Sequence, residues 1–279
     1  MLCDCHVHTN FSTDSETDPE QQLARAAALR MPELCITDHE DYDAVSVGDG
    51  ERLTFLLDFD SYLNFMEDLR RKWADRIRLN LGVEFGLQMR IRDFAEEFRE
   101  KYWDRFDYVI GSSHFIDGLD VYYPAYFLLN PDPDRRAAER ERYRHYFEKT
   151  LERVRSFDCF DALGHLDFVI RYGPFKNRYY DLKTYGDLID PILLELIRKD
   201  KALEVNTGGY KYGMGEPNPG WDIIRRYRAL GGSLITIGSD AHVPGYVGYE
   251  FEKTASLLKE CGFHEYAVYH RHEPVLMPL

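Results

Sequence analysis

Long apolar runs are absent from this sequence. No stretch approaches the roughly 18 residues needed to cross a bilayer, and no basic-then-apolar leader precedes the first strand-like segment, so a cytoplasmic protein with no membrane partner is expected. Cysteine is sparse and unpatterned. Cys3, Cys5, Cys35, Cys159 and Cys261 form no Cys-x-x-Cys and no even framework, which argues for reduced, mostly buried thiols. Positive charge is short: 35 Lys and Arg against 49 Asp and Glu leave a net charge of −14. That average surface is poorly suited to gripping nucleic-acid phosphates, although a cluster of cations in one pocket would reverse the sign locally. There is no Gly-x-Ser-x-Gly elbow and no Gly-x-x-x-x-Gly-Lys loop, which removes the common serine-hydrolase and P-loop readings. Low-complexity segments and evident linkers are also missing, so the 279 residues are read as one domain, 1–279.

What is present is a repeated alternation of short apolar runs and amphipathic segments. Strands are predicted at Met1 to Cys5, Glu33 to Thr37, Ile77 to Val83, Tyr108 to Gly111, Asp161 to Gly164, Ala202 to Val205 and Ser233 to Gly238, with a further candidate at Tyr266 to Tyr269. Helices are predicted at Pro19 to Arg30, Asp60 to Ala74, Asp93 to Tyr102, Arg135 to Phe157, Leu188 to Lys199, Gly220 to Ala229 and Tyr249 to Cys261. The segment from Glu40 to Leu53 reads as a long loop, Asp117 to Asp134 as a loop or lid punctuated by Pro124, Pro131 and Pro133, and Asp167 to Tyr185 as an irregular insertion. Strands alternating with helices give an α/β fold with a parallel sheet covered on both faces. Almost every strand carries a polar residue at its carboxyl end, and only a ring of strands brings such ends to one axis. A closed or nearly closed barrel is therefore favoured over an open sheet.

The strand-terminal residues are His6, His8, His39, Glu84, His114, His165, Asp240 and His242, with Asp14 in the loop beyond His8. His6 and His8 share a face because strand side chains alternate with period two. Nine imidazoles and carboxylates exceed what one divalent ion uses, so two or three metals are expected. A single such His is ordinarily a core residue bonded to backbone, but six of ten histidines falling at one end of successive strands is a poor fit to chance. His145, His264, His270 and His272 fall elsewhere and are assigned to structure or surface. Asp38 is the best candidate for orienting a ligand imidazole.

His-x-His followed by Asp14, Ile-Thr-Asp-His39, Gly-Val-Glu84, Ser-Ser-His114, Gly-His165 and Gly-Ser-Asp-Ala-His242 together resemble the PHP (polymerase and histidinol phosphatase) superfamily of metal-dependent phosphoesterases. The resemblance implies a distorted (β/α)7 barrel, TIM-barrel-like. Glu204-Val-Asn-Thr-Gly-Gly, Gly215-Glu-Pro-Asn-Pro and Arg171 resemble the histidinol-phosphatase branch. By that resemblance His6, His8, Glu84 and Asp240 would hold one ion, and Glu84 would bridge to a second held by His114 and His165. Asp14, His39 and His242 would hold a third. Zinc, manganese and iron are all open. Asp14 stands where some relatives have histidine, which makes the third site harder in character.

Three divalent ions, three carboxylates and a bridging hydroxide leave about +2, which offsets a phosphate monoester dianion, and such a hydroxide can attack phosphorus without a protein nucleophile. A small monoester also needs cations on its outer side. Arg171 and Lys211, with Asn206 beside them, are the candidates, and Lys176 and Arg178 are weaker ones. Many relatives have Arg where Lys211 stands, so the planar fork is lost there. His242 or a metal-bound water is a candidate acid for the leaving alkoxide. Tyr122, Tyr123, Tyr126, Tyr210 and Tyr212, with Asp117 and Glu216, could line a pocket for a cationic amine. The branch implies hydrolysis of L-histidinol phosphate to L-histidinol and phosphate, as in histidine biosynthesis. A related phosphoesterase acting on another small phosphate or a nucleotide is the alternative, and a non-catalytic metal-binding domain a third. Oligomeric state is left open.

Overall fold

The computed structural model describes residues 2–48, 51–128 and 134–279. In chain order the elements are α1 (Pro19–Ala28), β1 (Glu33–Ile36), β2 (His39–Glu40), β3 (Ser46–Gly48), β4 (Glu51–Leu53), α2 (Phe59–Trp73), β5 (Arg78–Gly86), α3 (Arg92–Lys101) and β6 (Tyr108–Ser112). They continue with β7 (Phe115–Ile116), β8 (Leu119–Asp120), α4 (Ala125–Leu128), α5 (Arg135–Ser156), β9 (Ala162–Leu163), α6 (Leu182–Arg198), β10 (Ala202–Asn206) and α7 (Gly208–Lys211). The last are α8 (Trp221–Ala229), β11 (Ile235–Gly238), α9 (Phe251–Glu260), β12 (Glu265–His270) and β13 (Glu273–Pro278).

Seven strands make one sheet in the order β1-β5-β6-β9-β10-β11, with β2 also paired to β5. Every pairing in it is parallel. Strand β5 is buried at every residue but its first, as expected when helices cover the outside and side chains fill the inside. The two edges of the sheet meet across residues 4–8. On one side Cys35 N donates to Asp4 O and Thr37 N to Val7 O; on the other, Cys5 N donates to Ile237 O, Asp240 N to His6 O and His8 N to Ala241 O. The predicted first strand is therefore an extended segment bridged at Asp4–Leu34 and Val7–Ala241. It lacks a continuous ladder because it alternates between two partners where the barrel closes. Met1 lies outside the described residues.

Local chemistry sets the helix starts. The side chain of Asp18 accepts from Glu20 N ahead of Pro19, and Asp58 and Asp181 cap α2 and α6 in the same way. Helix α6 begins six residues before the predicted Leu188, because the Asp181 cap outweighs Gly186 and Pro191 as helix breakers. On α5, Tyr143, Phe147, Leu151 and Val154 form the expected buried stripe.

Three other expectations are corrected. The loop expected from Glu40 to Leu53 contains β2 and the antiparallel pair β3–β4. The expected lid from Asp117 to Asp134 contains β8, paired with β7, and the short α4; Pro131 and Pro133 lie outside the described residues. Strand β13 was not anticipated. Its Pro274 and Pro278 read as breakers, yet among the described residues it pairs with β12 alone, and a sheet edge is where proline is tolerated. The β12–β13 hairpin packs at the amino-terminal end of the barrel, where Tyr266 Oη accepts from Cys3 N and Tyr269 stacks on Tyr108.

Candidate metal centre

The carboxyl ends of the strands converge as the period-two argument requires. His6 Nε2 and His8 Nε2 lie 3.0 Å apart. Glu84, near the end of β5, lies at the centre. Its Oε1 is 3.0 Å from His114 Nε2 and 2.7 Å from His165 Nε2, while its Oε2 is 3.2 Å from His6 Nε2, 3.5 Å from His8 Nε2 and 3.0 Å from His39 Nδ1. Asp240 Oδ1 is 3.5 Å from His8 Nε2. At the mouth, Asp14 Oδ2 is 3.1 Å from His242 Nε2 and 3.7 Å from His39 Nε2. The structure thus brings all nine candidate ligands into one cluster. Four triads of donors have ligand atoms within 4.8 Å of one another: His8, His39 and His242; His6, His8 and Asp240; His6, Glu84 and His165; His39, Glu84 and His114.

This donor set fits metal ions. Glu84 Oε2 and His39 Nδ1 are buried and close to each other, yet neither has hydrogen-bond geometry to any partner among the described residues. Their lone pairs converge on shared space. Burial, reinforced by the neighbouring His242 and His39, holds His8 well below its usual pKa, and burial also lowers His165; both favour the neutral form that binds a metal. Burial pushes Glu84 the other way, but His6, His114 and His39 outweigh it and keep the carboxylate ionised.

Behind the candidate ligands lies a row of groups placed to orient them. Glu204 Oε1 is 2.5 Å from His6 Nδ1, and its Oε2 accepts from His165 N at 2.7 Å. Asp41 Oδ2 is 3.0 Å from His114 Nδ1. Neither acid was assigned this part from sequence. Asp38, which was, touches no imidazole within hydrogen-bond distance. It accepts from Thr9 and from Ser12 Oγ, and Ser12 Oγ in turn lies 3.1 Å from His8 Nδ1.

A cavity of about 390 Å³ opens over the cluster, lined by Asp14, His39, Glu84, His114, His165, Asp240 and His242 together with Arg171. Arg171 is buried and donates from Nε to Asn218 Oδ1 at 2.6 Å, from Nη1 to Asp240 Oδ2 at 2.9 Å and from Nη2 to Asn206 Oδ1 at 2.8 Å. Asn218 is itself held by Asp167 Oδ1 at 2.6 Å. Lys211 and Asn206, the other two candidates for meeting a substrate, are not among the residues lining the cavity. Lys211 Nζ turns back to the carbonyl of Asp240 at 2.6 Å, and Asn206 is fully buried beneath Arg171. Lys176 donates to Tyr212 O and Arg178 lies over the ring of Tyr179.

Of the aromatic candidates, Tyr122, Tyr123 and Tyr212 line the cavity, joined by Phe55, Phe168 and Tyr172. Tyr126 is buried with its hydroxyl on Arg142 O, and Tyr210 packs under Lys253. Asp117 pairs with His145, and Glu216 accepts from Asn177 and Trp221 N; the lining acids outside the donor cluster are Asp41 and Asp120 instead. The four histidines left out of the cluster stay out. His270 binds Glu33 and His272 binds Asp161, while the His264 carbonyl accepts from Leu279 N.

Barrel and donor ring together define a class: a parallel (β/α) barrel with metal-ligand chemistry concentrated at its carboxyl-terminal mouth. The chain belongs to the PHP domain family, whose model matches residues 4–208. It is 30% identical to the histidinol-phosphatase of Lactococcus lactis over 266 residues, covering 95% of this chain and 93% of that protein. The crystal structure of the Lactococcus lactis histidinol phosphate phosphatase, complexed with zinc, L-histidinol and phosphate, superposes with a TM-score of 0.86 at 29% identity, covering 99% of this chain and 100% of that one. A solved structure from Listeria monocytogenes shares the fold, with a TM-score of 0.75 at 20% identity over 90% of this chain and 99% of that one. Among the described residues, no helix is long and apolar enough to cross a membrane.

Proposed function

We propose that this chain is a metal-dependent phosphomonoesterase that hydrolyses L-histidinol phosphate to L-histidinol and phosphate. The observation that carries the reading is Arg171: a buried guanidinium on the wall of the cavity, sharing Asp240 with the donor cluster. It places a cation for a phosphate beside donors for metals. Similarity to a protein that binds zinc, L-histidinol and phosphate supports the choice of substrate.

His6, His8, Glu84 and Asp240 would hold one ion, Glu84, His114 and His165 a second, and Asp14, His39 and His242 a third, with zinc, manganese or iron as occupants. When bound, such ions supply Lewis-acid activation of water and neutralise the phosphoryl oxygens. The protein's own groups do the rest. Glu204 and Asp41 hold the Nδ1 atoms of His6 and His114 so that each Nε2 faces Glu84. Arg171 keeps two N–H groups free for a phosphoryl oxygen pair, since three of its five are taken by Asn218, Asp240 and Asn206. His242 is tethered at Nδ1 to Asp240 O at 3.1 Å and presents Nε2 toward Asp14. That nitrogen can ligate an ion or carry the leaving-group proton, but not both at once. Tyr122, Tyr172 and Phe168 wall the cavity, and their faces suit a cationic imidazole or amine. One domain spanning 1–279 and a cytoplasmic setting complete the proposal, the latter supported by five free thiols.

The test is phosphate release by metal-loaded protein from histidinol phosphate, nucleoside monophosphates and a short oligonucleotide. A preference of less than about tenfold in kcat/KM for histidinol phosphate, equivalent to about 1.4 kcal/mol, would remove the assignment.

A further inference from the structure

A second cavity, of about 470 Å³, lies at the opposite end of the barrel and is lined by Arg99, Trp103, Arg155, Asp158, Arg198, Lys199 and Lys201. In a chain of net charge −14, five cations around one acid reverse the prevailing sign. We propose that this cavity is a non-catalytic binding site for a phosphate chain, such as a polyphosphate or the triphosphate of a nucleotide.

Part of the positive charge is structural. Helices α3, α5 and α6 all end here, and helix carboxyl ends attract cations because each carries about half a negative charge. Lys199 is used in this way: its Nζ donates to Arg155 O and Phe157 O and pairs with Asp158 at 2.8 Å. Arg198 shares its charge with Glu195. Once these two acids and the helix ends are counted, more than one positive charge is still uncompensated. Arg99, Arg155 and Lys201 have no ion pair with any acid among the described residues, and the lining acid, Asp158, is already committed to Lys199.

Lys201 is the most telling of them. Its Nζ donates to Asp158 O at 3.1 Å and sits 5.4 Å over the ring of Phe160. Burial works against its charged form, a cost that a bound anion would relieve. Guanidinium forks match phosphate oxygens two at a time, and the cavity is larger than one orthophosphate requires. It shares no lining residue with the catalytic cavity. Lys201 directly precedes β10, whose far end is Asn206, about 16 Å away at strand rise. Occupancy would therefore leave the metal cluster open.

The test is calorimetric titration of the metal-loaded full chain with tripolyphosphate and with ATP, metal content being checked after each run. Arg99→Ala/Arg155→Ala should weaken binding at least tenfold while kcat on the best monoester and the Tm stay unchanged, and Lys201→Ala should do the same. Arg171→Ala should leave this binding event intact. Affinity should fall steeply with added salt. Comparable affinities for the two probes identify an inorganic chain as the ligand, and at least tenfold tighter ATP binding identifies a nucleotide; either supports the site. Binding unaffected by the Arg99/Arg155 double variant, or abolished by Arg171→Ala, overturns it.

Discussion

Replacing Arg171 by alanine is the sharpest perturbation of the proposed chemistry. The guanidinium has five N–H donors, and three are committed at 2.6, 2.8 and 2.9 Å to Asn218, Asn206 and Asp240. One hydrogen on Nη1 and one on Nη2 are left, on the part of the residue that reaches the cavity wall. A charge-assisted hydrogen bond contributes about 1.5–3 kcal/mol, so losing both from a monoester costs on the order of 3–6 kcal/mol, or about 10²–10⁴ in kcat/KM. The loss should appear mainly in KM for monoesters, and much less for diesters, which carry one charge fewer. Arg171→Lys should not rescue the activity, because an ammonium cannot span Asn206, Asn218 and Asp240 and still present a fork. Initial rates of phosphate release from matched mono- and diesters provide the assay. Without metal, removing one partner of a buried ion pair should also lower stability by about 3–5 kcal/mol, whereas metal loading, which neutralises Asp240, should restore much of it. A kcat/KM for the Ala variant within about fivefold of the parent, at saturating metal, would refute the reasoning.

Glu204→Gln removes the charge that fixes His6 and should lower metal affinity about 10–100-fold, read as bound metal against free metal after dialysis; unchanged metal content would show that Glu204 is inert. Gly186 lies within α6 and a Cβ there meets nothing within 4 Å, so Gly186→Ala should raise stability by roughly 0.5–1 kcal/mol with kinetics unchanged, and a fall in Tm would contradict the packing described. Burial pushes the Glu40 carboxyl from an ordinary 4.5 up to about 8. Between those values the unfolded chain gives up its proton and the folded one keeps it, so stability in the chelated protein should fall as pH rises, by up to roughly 1.4 kcal/mol per pH unit. Glu40→Gln should flatten that slope in urea melts, and parallel slopes for the two proteins would count against it.

The convergence of the candidate ligands was legible because all but Asp14 are polar residues at the end of an apolar run, as in Ile-Thr-Asp-His39 and Gly-Val-Glu84. An inward-facing imidazole or carboxylate at the carboxyl end of a barrel strand points toward the shared mouth. The acids behind them carried a fainter signal. Glu204 stands two residues before Asn206 on β10 and Asp41 two after His39, so period two places each on the inward face of its neighbour. A charge facing the axis of a barrel needs a partner, and Glu204 finds His6 Nδ1, His165 N and Asn206 Nδ2 there. The aim of Lys211 was not legible at all. Its place in the chain, just past a strand end, said nothing about how the single turn of α7 would aim its ammonium away from the cavity and onto the Asp240 carbonyl. The hairpin β3–β4 left no apolar alternation to read, being three residues per strand.

Asp240 ties the two halves of the site into one geometry. Its Oδ1 faces His6 and His8 at 4.0 and 3.5 Å, while its Oδ2 takes Arg171 Nη1 at 2.9 Å. Its backbone sits at φ 57°, a left-handed conformation that Asp tolerates better than most residues. That turn brings the carboxylate back over the barrel axis, with Lys211 and His242 Nδ1 holding the carbonyl from the other side. A phosphate held by Arg171, as proposed, would then be positioned relative to the donor cluster through a single carboxylate shared by both. Because reacting atoms a fraction of an ångström out of place lose much of the rate, this shared acid accounts for why Arg171 is buried and triply bonded instead of reaching in from the surface.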